Sequence, residues 1–361
     1  MNCPEMRIIM RYRKLGNTGL WVSELGFGTI PILSGSVPVL PDYYNPDLNK
    51  AIDIMEYAFH LGCNFYDTAV PEEYGDAEYK LGRFADQISR DKIIIADKAR
   101  FFDGNEIYNA VIQSCENLGT KPDIYFVHQV DLKNQDRVFE RYGALDALCD
   151  LKAEGKIRFS GIASHYYDVL LRGAKDDRVD ILQGSGNILE CGMLRRMAEE
   201  RQFAGKGFIL NKVYAAGLLT KFFTVDDLIG GILKYPFSCA LIGLGTMEQV
   251  NAAMGKEIEP KDISFEKVLE VLQAAFEPIP CTRCQRCICQ FGTEIHTAFR
   301  QYNYYYLGKN FWALKKLNMN IENAYQNCFR CMEQECMSNC PMGLHIPEMI
   351  GKIKELAEHH I

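Results

Sequence analysis

The amino-acid sequence predicts an α/β fold: an eight-unit parallel barrel followed by a small second domain. Three observations predict it. The chain has 361 residues, and one eight-unit barrel uses about 250. Short β-branched and apolar runs recur about 30 residues apart with helical patterns between them, one strand–helix unit each. Of the 14 cysteines, eight lie between Cys281 and Cys340, beyond the last such unit.

The candidate strands are Leu25–Thr29, Asn64–Asp67, Lys92–Ala96, Asp123–Val127, Ile157–Ile162, Asp180–Gln183, Gly207–Asn211 and Phe237–Ile242. Eight strands alternating with helices predict a closed (β/α)8 TIM barrel. A Rossmann sheet is the rival, but no G-x-G-x-x-G follows an early strand. Leu48–Leu61 places Ala51, Ile52, Met55, Ala58, Phe59 and Leu61 at helical spacing, and Gly62 stops it. Leu145–Lys152 and Phe265–Ala275 read as helices on the same ground. Arg11–Trp21, with Gly16-Asn17 in its middle, reads as a hairpin capping one barrel end. Pro31–Pro46 and Pro71–Tyr74 read as loops over the C-terminal face, where barrel active sites lie.

Composition narrows the function classes. Hydrophobic residues make up 48% and charged residues 24%, a globular balance that excludes disordered and collagen-like chains. A net charge of −7 argues against nucleic-acid or anionic-membrane partners. No stretch reaches the 18 or so apolar residues of a membrane span. The start, Met-Asn-Cys-Pro-Glu, lacks a charged head and apolar run, which predicts a cytoplasmic chain. In that reducing compartment a cysteine cluster reads as metal-binding or catalytic.

Asp67, Lys98 and His128 stand at the C-terminal ends of successive strands, where a barrel collects its catalytic groups. Singly, each is equally well a helix cap or a solvated loop charge. Matching positions in three consecutive units favour a site.

The segments around these residues resemble the aldo/keto reductase family. They are Lys14-Leu-Gly-Asn-Thr-Gly-Leu, Leu25-Gly-Phe-Gly-Thr, Asn64-Phe-Tyr-Asp-Thr-Ala, Ala77-Glu78, Leu81-Gly82, Tyr125-Phe-Val-His-Gln-Val-Asp131, Gly161-Ile-Ala-Ser-His and Ile242-Gly-Leu-Gly-Thr-Met-Glu-Gln. The resemblance implies NADP(H) and an Asp, Tyr, Lys, His tetrad acting on a carbonyl or related small molecule. Hydride transfer to a carbonyl carbon builds charge on oxygen, and a phenol supplies the proton. An ammonium favours the phenolate, an Asp holds the ammonium, and a His orients the oxygen. Asp67, Lys98 and His128 take those roles by resemblance. The family's Tyr position falls on Glu72, so either Tyr74 takes its place or Glu72 or Glu73 replaces it. The cofactor-binding positions implied are Ser164, Gln183, Asn187, Gly243, Thr246 and Gln249. Ala163, Gly186 and Ala253 stand where the family has contacts to the cofactor. That loss motivates a second reading, a redox-binding or regulatory module on a degenerate barrel that no longer binds NADP(H).

The last 86 residues, 276–361, form the second expected domain, after a barrel over 1–275. Their first cysteine group is Cys281-x2-Cys284-x2-Cys287-x-Cys289, and their second is Cys328-x2-Cys331-x4-Cys336-x3-Cys340-Pro341. Two groups of four, the second closing in Cys-Pro, resemble a bacterial ferredoxin and imply two [4Fe–4S] clusters. In such proteins the fourth cysteine of each run serves the other cluster. Applied here, one cluster uses Cys281, Cys284, Cys287 and Cys340, and the other Cys328, Cys331, Cys336 and Cys289. Zinc and free thiols are the alternatives.

Tyr302, Tyr304, Tyr305 and Tyr306 near Arg300, Lys309, Lys315 and Lys316 read as a helix packing over the clusters rather than a nucleic-acid surface. His296 and His345 read as outer residues, and His359-His360 as a frayed end. A subset of aldo/keto reductase-like proteins has a C-terminal ferredoxin-type domain. Tyr302-Asn303 and Gly343-Leu-His-Ile-Pro347 match that subset. The fusion implies electron exchange with a ferredoxin or flavoprotein.

Overall fold

A computed structural model describes residues 10–35, 45–309, 313 and 321–359. Cys3, Lys315, Lys316, His360 and the middle of the Pro31–Pro46 segment lie outside the described residues. The chain divides into two compact units. The first is Met1–Ser185, Glu200–Ala216 and Pro236–Glu259, and the second is Gly186–Glu199, Gly217–Tyr235 and Pro260–Ile361.

In the first unit a two-stranded antiparallel sheet, β1 (Tyr12–Lys14) and β2 (Trp21–Ser23), precedes eight parallel strands. These are β3 (Leu25–Gly28), β4 (Phe65–Asp67), β5 (Ile94–Ala99), β6 (Ile124–Val127), β7 (Phe159–Ala163), β8 (Ile181–Ser185), β9 (Gly207–Asn211) and β10 (Cys239–Gly243). They close in chain order, with β10 pairing β3. The barrel is therefore the (β/α)8 architecture expected from the strand spacing.

Inward side chains repeat every second residue. Phe65, Ala96, Phe126 and Ile181 lie in the buried barrel core. Two residues further along each strand come Asp67, Lys98, His128 and Gln183. The pleat alone aims these four polar groups the same way, at the C-terminal mouth. Leu15 and Val22, from the hairpin β1–β2, join the same core cluster. Gly16 in that hairpin has φ +53°, and a Cβ there would lie 2.3 Å from Gly207 N. Only glycine admits both the turn and that approach.

Two local expectations change. Lys92 sits in a 3-10 turn, Arg90–Lys92, and β5 runs on to Ala99. Lys98 is thereby fixed in a strand. Pro71–Tyr74, expected as loop, is one helical turn, α2, because Pro71 occupies its first position, where a missing N–H costs nothing. The helix α1 (Leu48–His60) forms where the apolar spacing of Leu48–Leu61 suggests, and α3 (Ala77–Ala85) and α4 (Gly104–Leu118) follow it.

Among its described residues the second unit contains helices and no strand, including Phe265–Gln273, Ile295–Gly308, Ile321–Arg330 and Ile346–His359. Two polar devices hold it together. Asn303 donates to Ile279 O and accepts from Ile279 N, both at 2.9 Å. Glu190 sits between Arg283 Nη1 at 2.9 Å and Arg300 Nε at 3.3 Å, and all three are buried or nearly so. No described helix is long and apolar enough to cross a membrane.

Candidate active site and cysteine pockets

Lys98 is the centre of the barrel site. Its ammonium donates to Asp67 Oδ1 and, at 2.6 Å, to the Thr68 carbonyl. Both side chains are buried, Lys98 to 1% exposure and Asp67 to 4%. Burial works against the ammonium, but Asp67 and Tyr74 beside it hold its pKa above the ordinary lysine value. Lys98 Nζ also lies 5.0 Å from the centre of the Tyr74 ring. Burial raises the Tyr74 pKa and Lys98 only partly offsets it, so Tyr74 is a neutral phenol at pH 7.

Of the three residues weighed at the tyrosine position, Tyr74 stands beside Lys98, Glu72 is exposed and Glu73 faces His128. The turn of α2 explains the offset. Tyr74 N donates to Val70 O at 3.0 Å, and Val70 N donates to Lys98 O at 3.1 Å. One helical turn seated on the end of β5 swings residue 74, rather than residue 72, over the ammonium.

The same turn aims Glu73 at His128, with Oε2 2.6 Å from Nδ1. Burial depresses the His128 pKa, against an opposing pull from Glu73, so the ring is neutral at pH 7. The sequence reading named Glu73 only as a tyrosine substitute. Its position next to Tyr74 on a short turn is the signal for a histidine partner.

The residues expected to bind the cofactor divide. Gln183 meets Asp67, donating from Nε2 to Asp67 Oδ2 at 2.8 Å, while its buried Oε1 has no partner. Ser164 donates to Val130 O at 2.6 Å and accepts from Tyr166 N. Thr246 caps the helix Met247–Met254 by accepting from Gln249 N at 3.2 Å. Gln249 Oε1 accepts from Gly245 N, and Gly243 is exposed at the end of β10. Asn187, in the second unit, accepts from Leu189 N and Glu190 N and so holds its own turn.

In the second unit the eight cysteines line two pockets. Cys281, Cys284, Cys287 and Cys340 line one of about 340 Å³, and Cys289, Cys328, Cys331 and Cys336 line another of about 430 Å³, each counted to its open mouth. Each pocket thus takes three cysteines from one run and one from the other. Burial and the nearby Cys284, Cys340 and Cys336 thiols push the Cys287 thiol up to about 12. Burial and then Cys289, Cys336 and Cys331 raise Cys328 to about 11. Among the described residues no three His, Cys, Asp or Glu side chains converge tightly enough to hold a single metal ion. His296 is buried and lines the first pocket, while His345 is exposed.

Comparison with known proteins agrees with this barrel. The aldo/keto reductase family model matches residues 24–230. L-galactose dehydrogenase of Arabidopsis thaliana is 34% identical over 312 residues, covering 74% of this chain and 94% of that protein. NADH-specific methylglyoxal reductase of Escherichia coli is 26% identical over 248 residues, covering 62% of this chain and 73% of that protein. The solved holo aldo-keto reductase AKR11C1 of Bacillus halodurans superposes with a TM-score of 0.60, covering 76% of this chain and all of that one. At 22% identity that likeness speaks for the fold. The family match spans over half of the sequence, and the plant relative is covered almost end to end. The chain is therefore an oxidoreductase that belongs to the aldo/keto reductase family.

Proposed function

We propose that the barrel interconverts a small carbonyl compound and its alcohol with NADP(H), using Asp67, Tyr74, Lys98 and His128. The observation behind this reading is the Tyr74 phenol over an ammonium that Asp67 locks in place. A phenol so placed gives its proton to an oxygen that gains negative charge, and the ammonium stabilises the phenolate left behind. A degenerate barrel would have no use for a buried lysine held in that register.

The residues present fit a nicotinamide. Gln183 Oε1 is a buried acceptor without a partner, and an amide N–H supplies what it lacks. Gly243 and the start of the helix at Met247 offer backbone N–H groups to a phosphate. When bound, the cofactor supplies the hydride. Gln183 would hold the carboxamide end, and its bond to Asp67 ties that grip to the tetrad.

We also propose that the two cysteine pockets hold [4Fe–4S] clusters, ligated by Cys281, Cys284, Cys287 and Cys340 and by Cys289, Cys328, Cys331 and Cys336. The crossed lining of the two pockets supports this. Clusters supply one-electron exchange when bound, which suits a ferredoxin or flavoprotein partner.

Fluorescence titration with NADPH and NADH, followed by assays with methylglyoxal and L-galactose, tests the barrel. Binding with turnover that disappears in Lys98→Met supports it; failure to bind either nucleotide returns the barrel to a scaffold. Anaerobic purification with iron and sulfide counts tests the clusters. About eight irons per chain are expected, and zinc or metal-free protein overturns them.

A further inference from the structure

Asp97 precedes Lys98 in β5, so its side chain leaves the opposite face of the strand, away from the barrel interior. There its carboxyl group is in hydrogen-bonding contact with that of Glu78 from α3, and neither residue has any exposed surface. Asp97 Oδ1 accepts from Lys98 N at 2.8 Å, and Glu78 Oε2 accepts from Asn117 Nδ2 at 2.7 Å. The remaining oxygens, Asp97 Oδ2 and Glu78 Oε1, are buried and meet no donor among the described residues. Two carboxylates offer each other only lone pairs, and two adjacent buried negative charges repel. One proton held between the groups gives them a hydrogen bond and removes one charge. We propose that Asp97 and Glu78 share a single proton, and that this proton clamps α3 to the strand carrying Lys98 and is released in alkaline solution.

Among the described residues the charged and titratable groups facing the pair are Lys98 on β5, Tyr125 on β6 and Cys115 on α4. Lys98 is held on its own face of the strand by Asp67. Tyr125 Oη and Ser114 Oγ of α4 lie 3.1 Å apart. Burial raises the Tyr125 and Cys115 pKa values, so both are neutral at pH 7. Burial, and then Glu78, raise the Asp97 pKa well above the ordinary aspartate value. In the unfolded chain both carboxyls are ionised above about pH 5, whereas the folded pair keeps one proton. The folded state therefore binds more protons, and its stability falls as the pH rises until the pair ionises. Lys80, also on α3, donates to Ile32 O and Pro46 O. The clamp thus links the Pro31–Pro46 segment, through α3, to β5. It touches no reacting atom and depends on no cofactor.

Asp97→Asn puts an amide N–H where the proton sits and keeps an acceptor for Lys98 N. Glu78→Gln makes the reciprocal change and keeps an acceptor for Asn117. In urea melts of the full chain, the ratio of the folding constant of Asp97→Asn to that of wild type is expected to rise about tenfold per pH unit from about pH 5, levelling off where the pair ionises. A ratio independent of pH overturns the proposal. Infrared difference spectra of wild type minus Asp97→Asn at about pH 6, where exposed carboxyls are ionised, are expected to contain the C=O stretch of a carboxylic acid that shifts in D2O. Glu78→Gln is expected to lose the same band. Survival of the band in both variants overturns the proposal, because the proton then lies elsewhere. If one variant fails to fold, the other carries both readouts. A wild-type spectrum with no acid band, as for two carboxylates bridged by water, overturns the proposal without either.

Discussion

The Lys98 ammonium stands 5.0 Å from the centre of the Tyr74 ring while Asp67 holds its other side. In the proposed reaction this juxtaposition separates proton supply by Tyr74 from structural support by Asp67 and Lys98. Tyr74→Phe keeps the ring and removes the phenol. Turnover should fall roughly 10²–10⁴-fold with little change in melting temperature. Lys98→Met leaves Asp67 buried and uncompensated, and should also cost about 3–5 kcal/mol of stability. Glu72→Gln, on the exposed side of the same turn, should change neither. Steady-state kinetics beside denaturant melts separate the three.

Glu190 is a buried carboxylate shared by Arg283 and Arg300. Burial alone would raise its pKa, but the two guanidiniums hold it below the usual glutamate value. The unfolded chain therefore binds a proton more readily than the folded one. The stabilisation is complete above about pH 4.5 and is lost as the pH falls through the folded pKa. Glu190→Gln removes the carboxylate's charge from between two buried guanidiniums, should cost about 3–5 kcal/mol at pH 7, and should flatten that acid limb. Urea melts from pH 3 to pH 7 would show it (about the window in which a carboxylate titrates).

Lys80 is 2% exposed and donates to Ile32 O, Ser34 Oγ and Pro46 O at 2.7, 2.8 and 2.8 Å. It ties together the two ends of the Pro31–Pro46 segment. Lys80→Met would strip a donor from two backbone carbonyls, each costing about 1–3 kcal/mol when left unsatisfied. The expected result is a lower melting temperature and faster proteolysis between residues 33 and 46. An unchanged cleavage pattern would show that the segment is held by other contacts.

The crossed cysteine pockets predict paired losses. Cys289→Ser should empty the pocket shared with Cys328, and Cys340→Ser the pocket shared with Cys281. Each is expected to retain about half of the iron. The EPR signal that survives should differ between the two variants. If loss of Cys289 and loss of Cys328 removed different signals, the assignment across the two runs would be wrong.

Much of the barrel was legible in the chain because its signals are local. Strand spacing, the helical stripe of Leu48–Leu61 and the Gly16-Asn17 hairpin each follow from a few neighbouring residues, and the structure closes the eight strands in order. Asp67, Lys98 and His128 could be singled out because a period of two places them at strand ends. The tyrosine could not. Its position depends on whether Pro71–Tyr74 is extended or helical, and that turn is set by Val70 seating on the end of β5.

The sequence by itself determined the fold class, the polar end of the barrel and the grouping of the cysteines, since each depends on spacing along one strand or one run. Tertiary structure alone decided which partner each polar group meets. It put Tyr74 rather than Glu72 on Lys98, gave Glu73 to His128 and Gln183 to Asp67, and lined each cysteine pocket from both runs. Those pairings join residues far apart in the chain or turned by a single helical step, and spacing along the sequence holds no record of the distance between them.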